Sequence, residues 1–144
     1  MVRKRAARLE RIGALRDKAL YANPALKGRV TFRYRDHAHY TIGHGEYEFK
    51  VAFSGASTNS VHVYIDGGLE AIGLIADPTF NPHTVASYLT PGRAVSPDVG
   101  QRIVLLNSHG VLCIIAIDEV QSEVNTKDYV PEHVTFTYEV LVND

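Results

Sequence analysis

Tyr40-Thr41-Ile42-Gly43-His44-Gly45-Glu46-Tyr47-Glu48-Phe49-Lys50-Val51-Ala52-Phe53 is the stretch on which the fold turns. In its second half Tyr47, Phe49, Val51 and Phe53 fall on one side of an extended chain, with Glu46, Glu48 and Lys50 on the other. Successive strand side chains point to opposite faces, so a period of two marks a strand with one face in a core. Gly43 and Gly45 flank His44, and glycine supplies the positive φ that tight turns need. Strand, turn and strand together predict a β-hairpin, with a short first strand over 39–42.

The pattern continues upstream. Val30, Phe32 and Tyr34 alternate with Arg29, Thr31, Arg33 and Arg35, giving a half-buried strand with a basic outer face. Downstream, Ser54 to Asn59 reads as a polar loop and Val61, Val63 and Ile65 as the next inward set. Asp66-Gly67 is a two-residue hairpin signal, with Leu69 to Ala76 returning beside it. Four prolines (Pro78, Pro82, Pro91, Pro97) make 77–101 a long irregular connection, with one short element at 84–89. Arg102 to Leu106 and Val111 to Val120 are strands joined by Asn107-Ser108-His109-Gly110. Val111 to Ile117 is apolar without alternation, which predicts burial on both faces. The last strand, 133–142, turns Val134, Phe136, Tyr138, Val140 and Val142 inward. About eight strands with short turns and one long crossover predict a mainly β fold, an antiparallel β-sandwich or a partly open barrel.

Ahead of this β domain, which spans 29–142, residues 1–22 read as a basic N-terminal α-helix. Leu9, Ile12, Leu15, Ala19 and Leu20 recur at spacings of three and four, and Asn23-Pro24 marks the stop. The whole is a single domain of 144 residues, long enough to bury a core without a disulfide or metal staple. Hydrophobic content of 45% and charged content of 22% are ordinary for a globular protein. Cys113 is the single cysteine, so no internal disulfide forms. No run of about 18 apolar residues marks a membrane span, and the basic start lacks the apolar core of a secretion signal. These features predict a cytoplasmic protein, with no cofactor implied.

The net charge of −1 conceals a segregation. Residues 1–35 carry eleven basic and two acidic side chains, and the remainder four basic and fourteen acidic. A basic head of +9 thus precedes an acidic body of −10. The head meets nucleic-acid phosphate, an anionic lipid surface, or the acidic body of its own or a partner chain. Arg3, Arg5, Arg8 and Arg11 with Arg33 and Arg35 are the candidate phosphate or partner contacts. No base-reading motif accompanies them, so such binding would be salt-sensitive and weakly specific.

His37, His39 and His44 are the candidate metal ligands. His37 and His39 share a strand face, and Asp36 or Glu46 would complete a tetrahedral set. The competing reading is exposed turn histidines. The loop with Ser54, Ser57 and Asn59 offers small donors and acceptors for a polar ligand; a solvated turn is its simpler reading. Cys113 sits in the most apolar strand and reads as core rather than nucleophile. No Gly-x-Ser-x-Gly, phosphate-binding loop or His-Glu-x-x-His is present, and no catalytic residue is assigned.

Several of these stretches together resemble an uncharacterised bacterial β-rich domain found alone or attached to Toll/interleukin-receptor-type effector domains. They are Val30 to Tyr34, Ile42 to Phe49, Phe53 to Ser57, Ser60 to Asp66, Val99 to Asn107 with Gly110, and Val134 to Tyr138. The likeness covers roughly 29–142. Members tend to carry tryptophan at the place of Phe53 and an Arg-rich acidic stretch in place of Val120 to His133. The resemblance implies an accessory or sensing role and carries over no catalytic residue. The expected function is a non-enzymatic interaction or ligand-sensing module acting as a homo-oligomer or with a partner protein. Nucleic-acid association and a metal-dependent hydrolase around the three histidines are the alternatives.

Overall fold

In the computed structural model the described residues are 18–77 and 79–142. Ten strands form two five-stranded sheets packed face to face, an open sandwich rather than a closed barrel. Sheet A runs in the order β1 (Ala22–Asn23), β3 (Tyr40–Ile42), β4 (Phe49–Gly55), β5 (Val61–Tyr64), β7 (Ala94–Val95). Sheet B runs β2 (Lys27–Phe32), β10 (His133–Leu141), β9 (Leu112–Gln121), β8 (Arg102–Leu106), β6 (Ala71–Ile75). Every pairing is antiparallel except β1 with β3.

Most of the inward phase read from the sequence is the core, except that Val142 lies past the end of β10 and is exposed, and Tyr34 lies past the end of β2 and is half-buried. Phe32, Phe49, Val51, Val63, Ile103, Ile115, Phe136 and Tyr138 are almost wholly buried. Phe32, Tyr40, Phe53 and Phe136 meet edge-on or tilted at 5.2–5.9 Å between ring centres, and such pairs add roughly 0.5–1.5 kcal/mol each beyond their burial. Burial pushes the Tyr40 phenol up to about 12.

The hairpin that decides the fold is present: Tyr40 pairs with Val51 and Ile42 with Phe49. Its turn is broader than the Gly-His-Gly motif suggests. Gly45–Tyr47 forms a single 3-10 turn, so Tyr47 lies in the turn rather than on β4. Gly43 has φ +72, and a Cβ there would collide with the Tyr47 carbonyl. Asn107 fastens this turn to the opposite sheet. Its buried amide donates to the Glu46 and Glu48 carbonyls (2.8 and 3.1 Å) and accepts from the backbone N–H groups of His109 and Val111 (3.0 and 2.9 Å).

Three expectations need correction. Asp66-Gly67 does not make a hairpin: β5 and β6 belong to different sheets, and β7 occupies the β5 edge that a returning strand would need. Gly67 packs against the Lys50 carbonyl and Gly68 takes φ +91, so 65–69 is a corner between sheets. The helix expected over 1–22 lies mostly outside the described residues. Within them Lys18 and Ala19 are helical, Leu20 and Tyr21 form a turn, and Ala22–Asn23 is already β1, hydrogen-bonded beside β3. Finally, β9 is not buried on both faces. Cys113, Ile115 and Ile117 are buried, whereas Leu112, Ile114 and Ala116 are half-buried on the outside of sheet B.

Candidate functional site

The outer side of β9 is where apolar sequence and solvent exposure coincide. Residues 76–93 cross from β6 to β7 over the outside of sheet B and cover it only in part. Val85 joins Ile75 and Val104 in a second small core, with Phe80, Tyr88 and Leu89 packed against it. Gly73 permits the approach, since a Cβ there would collide with the Tyr88 carbonyl. The Thr90 N–H and hydroxyl both donate to the Ile72 carbonyl at 3.0 Å. An Arg102 guanidinium 5.6 Å from the Phe80 ring centre steadies the leading edge of the crossover.

Beyond that edge sheet B is open. Two adjoining cavities of about 540 and 370 Å³ share Pro82, Glu139 and Leu141. Leu112 and Leu141 line the first; Ile114, Ala116 and Phe80 line the second. Polar groups border them: His83 and Glu139 in one, Arg102, Asp118 and Thr137 in the other. Asp118 reaches this position through a bulge, because Glu119 pairs with Thr135 and Ile117 with Phe136, which leaves Asp118 as the extra residue. Its carboxylate accepts from the Thr137 hydroxyl (2.6 Å) and the Arg29 Nε–H (3.2 Å). The result is a groove with an apolar floor and a polar border, the form that binding sites commonly take.

The residues singled out from sequence lie elsewhere and do not converge. His37 packs tilted against Tyr21 at 4.3 Å between ring centres, with Phe32 nearly parallel at 6.5 Å. His39 lies near Asp66, and His44 Nδ1 is 2.9 Å from the Pro24 carbonyl. Among the described residues no three His, Cys, Asp or Glu side chains are grouped to hold a metal ion. Ser54 exchanges a hydrogen bond with the Tyr64 hydroxyl (2.8 Å) on the outside of sheet A. Ser57 is bonded to Ser60 (2.6 Å) and Asn59 (3.0 Å), so the polar loop satisfies itself. On the same side Arg93 grips Asp66 with two hydrogen bonds (2.7 and 3.0 Å) and lies over the Tyr64 ring. The Arg93 hydrogen bond holds the Asp66 carboxyl below its ordinary range, helped by the charges of Arg93 and His39.

The arginines of β2 and of the turn after it meet the acidic body, one of the three arrangements that the charge segregation suggested. Arg29 pairs with Asp118, Arg33 with Asp36, and Arg35 with both Glu123 and Glu132. Arg3, Arg5, Arg8 and Arg11 lie outside the described residues. Cys113 is fully enclosed, and burial pushes its thiol upward, away from the thiolate that nucleophilic chemistry requires.

Reading the sequence by motif missed the groove. Its signals were the unbroken run Val111 to Ile117 and the proline-rich crossover beside it, each read as structure alone. No protein-family model, curated protein or solved structure gives a match to this chain. Among the described residues no helix is long and apolar enough to cross a membrane.

Proposed function

We propose that this chain is a non-catalytic β-sandwich binding module, and that the groove outside sheet B receives an apolar segment of a partner protein. One observation carries the reading: Leu112, Ile114 and Ala116 place apolar side chains on the outer face of a central strand, and the crossover leaves them half open. Exposed apolar surface bordered by polar groups marks interaction sites. Covering it yields roughly 25 cal/mol per Å², while Asp118, Glu139 and Arg102 orient what enters. An accessory role beside an effector domain is the biological setting that the resemblance suggests.

The test is binding of an environment-sensitive apolar dye to the folded protein. The wild type binds at one site, and Ala116→Trp, which fills the floor from a solvent-facing position, abolishes the signal without lowering the unfolding midpoint. A dye signal unchanged by Ala116→Trp would place the apolar surface elsewhere and sink the reading.

A further inference from the structure

A second binding feature lies at the edge of sheet B, one strand beyond the groove. Among the described residues β2 pairs on one side only, with β10. The Val140 N–H donates to the Leu26 carbonyl at 2.7 Å, which fixes the phase of the ladder. Antiparallel pairs alternate between residues that exchange both backbone bonds and residues that exchange neither. Leu26, Gly28, Val30 and Phe32 are therefore the bonded set, and the N–H and C=O groups of Lys27, Arg29 and Thr31 point away from the sheet. Among the described residues none of those groups has a backbone partner, and all three residues are exposed. The edge offers a run of open donors and acceptors, the template on which another strand pairs.

We infer that the β2 edge accepts an extended peptide of a partner protein in which acidic and apolar residues alternate. Side chains directly opposite across two strands govern pairing. On the outer face an incoming strand meets Lys27, Arg29 and Thr31, which calls for carboxylates. The Arg29 side chain stays 64% exposed beside Asp118, and that carboxylate lies on β9, two strands inboard of the edge. On the inner face the peptide meets the half-buried Gly28 and Val30, which calls for apolar side chains. A second copy of this chain fits less well, because antiparallel pairing of β2 with itself about its centre sets Arg29 against Arg29. The site adjoins the groove, since Arg29 is bonded to Asp118 on the groove border, but it uses the open backbone edge of β2 rather than the apolar floor.

The experiment uses the whole chain and a fluorescein-labelled Glu-Val-Glu-Val-Glu peptide, read by anisotropy at low and high salt. The wild type binds the peptide and weakens as salt rises. Thr31→Pro removes an outward N–H that β10 does not use, so the fold persists while affinity falls about tenfold or more, the scale of one lost hydrogen bond with added steric block. The same peptide N-methylated at the backbone nitrogens that face β2 does not bind the wild type, which keeps the test decisive if Thr31→Pro fails to fold. No binding by the wild type, or equal binding by Thr31→Pro and by the N-methylated peptide, overturns the inference. So does a wild-type dimer that Thr31→Pro converts to monomer, since that gives the edge to a second copy. Leu112→Glu, which spoils the apolar floor away from the Arg29–Asp118 pair, leaves peptide binding unchanged, which separates failure here from failure of the groove.

Discussion

At the scale of single residues, Asn107 shows how one side chain joins the two sheets. Its amide holds the turn between β3 and β4 in sheet A and the turn between β8 and β9 in sheet B. Both donors and the acceptor are engaged, so truncation leaves groups on two turns without partners. Asn107→Ala is expected to cost about 1–3 kcal/mol in urea unfolding, because a lost buried partner costs the desolvation of the groups left behind. A loss near zero would show that water takes over the amide's bonds. The sequence displayed Asn107 only as the first residue of a turn. Which carbonyls it reaches depends on a turn about sixty positions away, and no local pattern encodes that contact. The histidines teach the converse. Three in eight residues look like a ligand set, but His37 packs as an aromatic ring and His44 reaches back to Pro24.

At the scale of elements, period-two alternation was a good guide to strands and a poor guide to their partners. Eight of the ten strands overlap segments that read as extended, although turn signals or an apolar run, rather than alternation, place β6, β8 and β9, and β1 and β7, two residues each, are too short to show a period. Asp66-Gly67 misled because a turn signal says that the chain reverses, not that the two arms share a sheet; here Arg93 and β7 hold the arm from the other side. Val111 to Ile117 misled because apolar residues on both faces imply two covers. The second cover is the 76–93 crossover, whose small core takes in one side of Leu112 and Ile114 and leaves the rest of the outer β9 face open. The groove is thus legible only once the crossover's reach is known. Gly73 governs that reach. Gly73→Ala is expected to push Tyr88 outward, at a cost of about 1–3 kcal/mol as for other overpacked sites, and to loosen the Thr90 bond to Ile72. Hydrogen exchange checks this: the Thr90 amide loses protection while the β9 and β10 amides keep theirs. Uniform loss across sheet B would mean that the crossover belongs to the sandwich's own stability.

At the scale of the whole molecule, the basic head and acidic body decide how the protein meets polyanions. Residues 1–17 hold six basic and two acidic side chains, so residues 18–144 carry −5 of the total of −1. The arginines of β2 and the turn after it lie against carboxylates of the same chain, Arg35 against two of them. Such exposed pairs contribute about 0–1 kcal/mol each to stability, yet they set the local field: a phosphate approaching Arg35 meets Glu123 and Glu132 at nearly the same distance. A net-negative body repels a duplex. If the basic head meets phosphate, binding of the whole chain to a labelled DNA duplex at low salt should therefore fall to background in Arg3/Arg5/Arg8/Arg11→Ala, and the slope of affinity against salt should flatten with it, because each phosphate contact releases counterions. Arg33/Arg35→Ala should leave both unchanged. The reverse result, loss in the Arg33/Arg35 variant alone, would mean that the carboxylates release those guanidinium groups on binding, and would move the phosphate contact onto the sandwich itself.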